Sequence, residues 1–292
     1  MRREELLRLI STESDAITFC FNNNLLNKHE YCFICEDEMK LSLGNKEFRC
    51  QKRDCDTRIS LLSNSIFEKS KLPVRTIILL VYEWSVESKI SKVCEEYELS
   101  QSTVTNWYKK FRLYASYFNN LFNNEPIGGE GKIVEIDESL ITKNKYHRGR
   151  KLPSQQWIFG GVERGSSNCF IEIIEKRDRR TLLEILKRRV RVRSIIASDS
   201  WAAYRDLEAH IPELEATHYV VNHKNNFINP ENHSAHTQTI EGFWSLLKRK
   251  LRVTGGTRYG SSIESYFGDF LYRRGTTENI FEKFIKDCAE FI

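Results

Sequence analysis

The sequence predicts a mixed α/β protein in which one large domain follows two small N-terminal ones. Three observations carry that expectation: two cysteine pairs near the N-terminus, three amphipathic helical segments behind them, and, after residue 131, apolar strand-like runs alternating with helical ones. With 292 residues, 40% of them hydrophobic, the chain can bury a sizeable core. The net charge is only +5, yet the cations are clustered: Lys143–Lys151 holds five without an acid, Lys176–Arg193 nine against two, and Lys248–Arg258 five against none. Such clusters suit a polyanion, so nucleic acid is the expected partner and a membrane is not. The longest apolar run, Thr76–Trp84, falls far short of the roughly 20 residues that cross a bilayer. Met1–Glu5 opens a charged segment instead of a secretory signal. A reducing compartment is therefore expected, where eight cysteines serve as metal ligands and buried thiols more readily than as disulfides.

Residues 1–30 read as a short helix, Glu4–Ile10, and a polar Asn-rich segment. Residues 31–70 hold Cys32-Phe33-Ile34-Cys35 and, fourteen residues on, Cys50-Gln51-Lys52-Arg53-Asp54-Cys55. This spacing predicts a zinc ribbon, with four thiolates around one structural ion and a hairpin turning at Gly44. The C-x4-C second pair is wider than a strict knuckle, and buried free thiols are the alternative. Cys20, Cys94, Cys169 and Cys288 are isolated and read as packing residues.

Residues 71–120 read as a helix-turn-helix. Pro73 opens a first helix with Val74, Ile77, Ile78, Val81 and Trp84 on its apolar face. Ile90, Val93, Cys94 and Tyr97 make a second, Glu98-Leu99-Ser100 a tight turn, and Val104, Trp107, Phe111 and Tyr114 the buried side of a third. Ser100 is the expected N-cap. The outer side of the third helix offers Gln101, Ser102, Thr105, Asn106, Lys109 and Lys110, side chains of the kinds that contact base edges and phosphates. Helical hairpins with no such role are common, so this reading leans on the cysteine ribbon before it. Residues 121–131, with Pro126 and Gly128-Gly129, read as a linker.

Residues 132–292 form the expected large domain. Lys132–Ser139, Gln156–Val162 and Cys169–Glu175 read as strands, Thr181–Val190 as a helix, and Ser194–Asp199 as a buried strand ending on an acid. A helix from Trp201, a strand at His218–His223 and a last helix follow. In that helix Ile240, Phe243, Trp244, Leu247 and Leu251 recur at i, i+3, i+4, i+7 and i+11, and Glu241, Ser245, Lys248 and Arg252 form a polar row beside them. Three strands, helix, strand, helix, strand, helix is the order of an RNase H-like α/β domain. In that layout the first and fourth strands are neighbours, so Asp137 and Asp199 would meet at adjacent strand ends and Glu241 would close the site.

Three carboxylates 62 and 42 residues apart suit phosphodiester chemistry with hard divalent cations. Two Mg²⁺ (or Mn²⁺) ions about 3.5–4 Å apart neutralise charge on the attacking and leaving oxygens and acidify bound water. Asp137 is the candidate bridging ligand, with Asp199 and Glu241 each holding one ion. Glu135 and Glu138 compete with Asp137 by proximity, and strand alternation is read as turning both to the opposite face. Lys143, Lys145, Arg148, Arg150 and Lys151, just after the first acid, read as lining the DNA path, as do Lys248 and Arg252. His223 and His236 either orient a phosphate or water or are structural. Trp201 and Trp244 read as core anchors.

The segments Glu135-Ile136-Asp137-Glu138-Ser139, Ser198-Asp199-Ser200-Trp201, Val221–Phe227 and Ala235–Trp244 resemble the ISXO2-like DDE transposases, a group that spans bacterial insertion sequences and the eukaryotic Merlin elements. The wide second cysteine pair is more similar to Merlin. The resemblance implies a catalytic triad on Asp137, Asp199 and Glu241, Mg²⁺-dependent strand cleavage and strand transfer, and an N-terminal region that binds the element's terminal inverted repeats. It also implies a homodimer or larger assembly on DNA, placed in the nucleus of a eukaryotic host or the nucleoid of a bacterial one. A domesticated copy that binds DNA without turnover, or a nuclease that cuts without joining, are the alternatives.

Overall fold

A computed structural model describes residues 1–122, 124–141, 156–221, 236–254 and 263–290. The chain divides into two units, Met1–Tyr114 together with the stretch from Thr277 on, and Ala115–Thr276.

In the first unit, α1 (Arg3–Leu9) matches the expected helix, and a second helix, α2 (Glu13–Asn22), occupies what was read as polar coil. Thr12 caps α2 through a reciprocal bond with Asp15, and Ala16, Ile17, Phe19 and Cys20 are buried. Three short strands follow, β1 (Lys40–Ser42), β2 (Glu47–Arg49) and β3 (Arg58–Ser60), paired antiparallel in the order β1-β2-β3. The left-handed residue of the β1–β2 turn is Lys46, not Gly44.

The three expected helices are α3 (Val74–Ser85), α4 (Ile90–Tyr97) and α5 (Gln101–Phe122). Glu13 accepts the N–H groups of Val74 and Arg75, where Pro73 has no donor of its own to offer. Glu98 closes α4 in the left-handed conformation, and Ser100 Oγ accepts from Thr103 N at 3.1 Å, as its capping role requires. α5 runs to Phe122, into the start of the expected linker, and Phe118 and Asn119 are buried in its last turns. The last helix, α10 (Ile280–Ala289), belongs to this unit instead of the large domain, because Phe281 and Phe284 pack against Tyr82, Trp84 and Phe111.

The second unit is built on a five-stranded sheet of β4 (Ile133–Leu140), β5 (Trp157–Glu163), β6 (Cys169–Ile174), β7 (Ile195–Asp199) and β8 (Thr217–Val221), in the order β6-β5-β4-β7-β8. β4, β5 and β6 are antiparallel neighbours, and β4–β7 and β7–β8 are parallel. The first and fourth strands are thus adjacent, as the element order requires. One face of the sheet packs on α6 (Arg179–Arg189) and on the short α7 (Leu207–His210), through Ile136, Ile196, Leu182 and Tyr204. The other packs on α8 (Gln238–Thr254) and α9 (Ile263–Arg274), through Ile158, Val162, Phe243 and Phe267.

Two expectations are revised in this unit. The segment at 124–132 is structured, since Ile127 bridges to Val190 and the N–H groups of Gly128 and Gly129 bond Glu163 and Ser194. The helix expected from Trp201 is broken into a single 3₁₀ turn at Ala202–Tyr204 and the four-residue α7, because Asp206 takes a positive φ between them.

Candidate functional site

On β4, Glu135 pairs with Ala197 of β7 in a parallel ladder, and two residues further along each strand stand Asp137 and Asp199. Side chains two apart share a face, so both acids point to the α8 side. Asp199 Oδ1 accepts the N–H of Trp201 at 3.0 Å. Asp137 Oδ2 accepts Nε1–H of Trp244 at 3.1 Å. Burial, then the negative charges of Glu138 and Asp199, push the Asp137 carboxyl up to about 7. The negative charge of Asp199 thus reaches Asp137 from the adjacent strand.

Glu135 lies on the same face as Asp137, which corrects the reading that turned it away; two-residue alternation separates only Glu138. Both glutamates are occupied by hydrogen-bond donors. Glu135 is fully buried and bonded to Arg164, Thr239 and the N–H of Ile240. Glu138 faces the other layer, where it accepts from Tyr204 and from Arg177 Nη2 at 3.1 Å. The Arg177 guanidinium is stacked between Trp157 and Trp201, 4.7 and 4.1 Å from their ring centroids. Burial raises the Glu138 carboxyl against the pull of Tyr204 and Arg177.

α8 has the expected face: Ile240, Phe243, Trp244, Leu247 and Leu251 are all buried. Glu241 is exposed on its flank, with Thr237 Oγ1 donating to Oε1 at 3.3 Å. Asp137 and Asp199 stand on adjacent strands, and Glu241 lies three residues before Trp244 on α8; among the described residues the three carboxylates do not close to within 4.8 Å of one another, whereas the four-cysteine group does. Their carboxylate oxygens are hard donors of the kind a divalent cation takes.

Trp244 is more than a core anchor, and the reason lies on β5. Gly160 is the residue opposite Asp137 in the ladder, and a Cβ there would come within 2.5 Å of the Trp244 ring. Glycine inside a strand marks a close approach, and Gly160-Gly161 was the available signal for it. Arg164 and Arg177 carried no such signal, since an arginine that holds a buried carboxylate looks like any surface cation in sequence.

Beside Glu241, α8 and the end of α9 line an open groove of about 570 Å³ with Gln238, Ser245, Leu246, Arg249, Arg252 and Arg274. Its lining includes three arginines and no acid. Lys248 is half-buried on the same helix. Lys143, Lys145, Arg148, Arg150, Lys151 and His223 lie outside the described residues. On α5, Gln101, Ser102, Asn106 and Lys109 are exposed and Thr105 is half-buried. Lys110 is turned inward, donating to Ile66 O at 2.7 Å and lying over Trp107, and burial lowers its pKa.

Cys32, Cys35, Cys50 and Cys55 meet in one cluster, with Sγ–Sγ distances of 3.4–3.6 Å along Cys50–Cys35–Cys32–Cys55. A disulfide would be about 2.05 Å, and a tetrahedral metal with 2.3 Å bonds to sulfur has edges of about 3.8 Å, so the cluster is shaped for an ion. Although burial opposes it, N–H donation from Ile34 and Cys35 brings the Cys32 thiol down to about 6. Glu36 turns the first knuckle with φ 57°.

Comparison with curated proteins returns no match. Among solved structures the chain is similar to the catalytic core domain of BIV integrase, at 14% identity and TM-score 0.33 over 47% of this chain and 79% of that one. It is also similar to a chain of the simian T-cell lymphotropic virus intasome in complex with PP2A regulatory subunit B56 gamma, at 16% identity and TM-score 0.29 over 56% and 60%. The model of the ISXO2-like transposase domain matches residues 126–275, half of the chain and the whole span from β4 to α9. The chain belongs to the ISXO2-like transposase domain family.

Proposed function

We propose that the protein is a DNA transposase that cleaves DNA at the ends of its element and joins the freed 3′-OH to target DNA, with both steps at the Asp137, Asp199 and Glu241 site. The observation that carries this reading is that Asp137 and Asp199 each stand two residues past the paired Glu135 and Ala197 on adjacent strands, with Trp244 of the helix that bears Glu241 bonded to Asp137. Those three residues would hold divalent cations, Mg²⁺ or Mn²⁺, which supply Lewis-acid stabilisation of the phosphorane-like charge and acidify water. The chain's own part is placement. Trp244 and Trp201 fix the two aspartates by one hydrogen bond each, and the Arg249, Arg252 and Arg274 groove holds the phosphodiester backbone beside Glu241.

In this reading α4 and α5 form a helix-turn-helix that touches terminal repeats through Gln101, Ser102, Asn106 and Lys109, with Thr105 at its edge. Zinc in the four-cysteine cluster holds the ribbon that precedes it. Two ends must be held together, so at least two copies act on one DNA complex.

The test uses purified protein, a labelled DNA duplex carrying the element end, and Mg²⁺. Joined product is the expected result. Cutting without joining would make the protein a nuclease, and salt-sensitive binding without turnover would make it a DNA-binding regulator.

A further inference from the structure

One buried acid that this reading leaves without a part is Glu135. Its side chain has no exposure, and it is saturated with donors. Oε1 accepts from Arg164 Nε at 2.9 Å and Nη2 at 2.7 Å, and from Thr239 Oγ1 at 2.8 Å. Oε2 accepts from the Ile240 N–H at 3.0 Å. His236 Nδ1 stands 3.3 Å from Oε1, within ion-pair range but without hydrogen-bond alignment. Arg164 also donates to His236 O at 3.0 Å, just ahead of the helix. Isolated burial of a carboxylate is costly, and here four donor groups from Arg164, Thr239 and Ile240 offset it.

Thr239 and Ile240 lie in the first turn of α8, immediately before Glu241. A second tie joins the same two elements, from Trp244 to Asp137. The two ties match in spacing. Residues 135 and 137 are about 6.6 Å apart along a strand, and residues 240 and 244 about 6 Å apart along a helix. α8 is therefore fastened to β4 at two successive points, and Glu241 sits between them.

We propose that Glu135 is a positioning residue for the divalent-metal site: it binds neither metal nor DNA, and it fixes the first turn of α8 so that the Glu241 carboxylate stays in reach of Asp137. The inference rests on the reading of Asp137, Asp199 and Glu241 as metal-holding residues. A glutamine at 135 would keep the size but present an NH₂ to a set of donors, losing bonds that only a carboxylate can accept.

The experiment is Mn²⁺ titration of the full chain by calorimetry, with amide hydrogen exchange on α8 as a metal-free readout. Glu135→Gln is expected to weaken Mn²⁺ binding about 10–100-fold, the usual effect of removing a group that orients a ligand. It should also speed exchange in the first turn of α8, and Glu135→Asp should restore part of both. Thr239→Val, which removes one donor and is mild enough to fold, is expected to weaken binding a few-fold in the same direction. Glu163→Gln, which removes the charge of a buried carboxylate that accepts from Gly128 and Asn168 away from α8, should leave Mn²⁺ binding at the wild-type value. Wild-type Mn²⁺ affinity in both Glu135→Gln and Thr239→Val, in a protein whose Asp137→Asn variant has lost binding, overturns this inference alone. Wild-type binding in Asp137→Asn removes the site reading, and this inference with it.

Discussion

The indole N–H of Trp244 donates to the carboxylate of Asp137 at 3.1 Å, across a glycine that has no side chain to keep them apart. That contact joins the buried stripe of α8 to the sheet residue with the most perturbed charge state. It makes the placement of the helix and the chemistry of the acid a single structural question.

Gly160→Ala tests the contact sterically. The added methyl would sit within 2.5 Å of the Trp244 ring, with the Phe170 carbonyl 2.8 Å away on the other side, so the ring must shift. Overpacking of this kind costs about 1–3 kcal/mol. Urea denaturation should show that loss, and Mn²⁺ affinity should fall with it. An unchanged midpoint would mean that the indole does not pack against Gly160 in solution.

The raised Asp137 carboxyl gives a pH-dependent prediction for the metal-free protein. Its folded pKa, about 7, lies above the usual carboxylate value of about 4, so its favourable contribution to folding is complete below pH 4 and is lost as pH rises towards 7. Asp137→Asn, permanently neutral, should match the wild type at pH 4 and exceed it by roughly 2–4 kcal/mol at pH 8. Saturating Mn²⁺ should reverse the order at pH 8. Chemical denaturation at the two pH values, with and without metal, measures all of this.

Asp269 behaves in the opposite sense. Against burial, the charges of Arg273 and Lys250 hold its carboxyl below the ordinary range, with Arg273 Nε and Lys250 Nζ each at 2.8 Å. Its contribution is present above about pH 4 and is lost as pH falls through the depressed folded pKa. Asp269→Asn removes the charge that Arg273 and Lys250 face at 2.8 Å and should cost about 3–5 kcal/mol at neutral pH, with the gap closing in acid. Thermal melts across pH 2–7 check it.

The four-cysteine cluster should carry about one zinc ion per chain. Chelation, or Cys32→Ser, is expected to unfold the β1–β3 ribbon, because so small a sheet has little core of its own and ion binding is its folding free energy. Elemental analysis and zinc release read the outcome; full ribbon structure in metal-free protein would contradict it.

What was legible in the sequence follows from how local each signal is. The α8 stripe and the adjacency of the strands that carry Asp137 and Asp199 were readable because periodicity and element order are properties of contiguous residues. The face of Glu135 was also local and was misjudged, since a residue two before Asp137 must share its side. α2 went unseen although Thr12-x-x-Asp15 is a capping signal, because Asn22, Asn23 and Asn24 made the segment look polar. α5 runs through Asn119 because tertiary burial overrides the weak helix propensity of asparagine. The partnerships of Arg164 with Glu135 and Arg177 with Glu138 join residues 29 and 39 positions apart, and no spacing rule announces them.

The most direct test of the central claim, that Asp137, Asp199 and Glu241 form one divalent-cation site, is anomalous diffraction from a crystal soaked in Mn²⁺. Anomalous density is expected at bonding distance from carboxylate oxygens of all three residues, with Glu135 still bonded to Ile240. Mn²⁺ density confined to other parts of the chain, or held by the aspartates with Glu241 turned away, would contradict it.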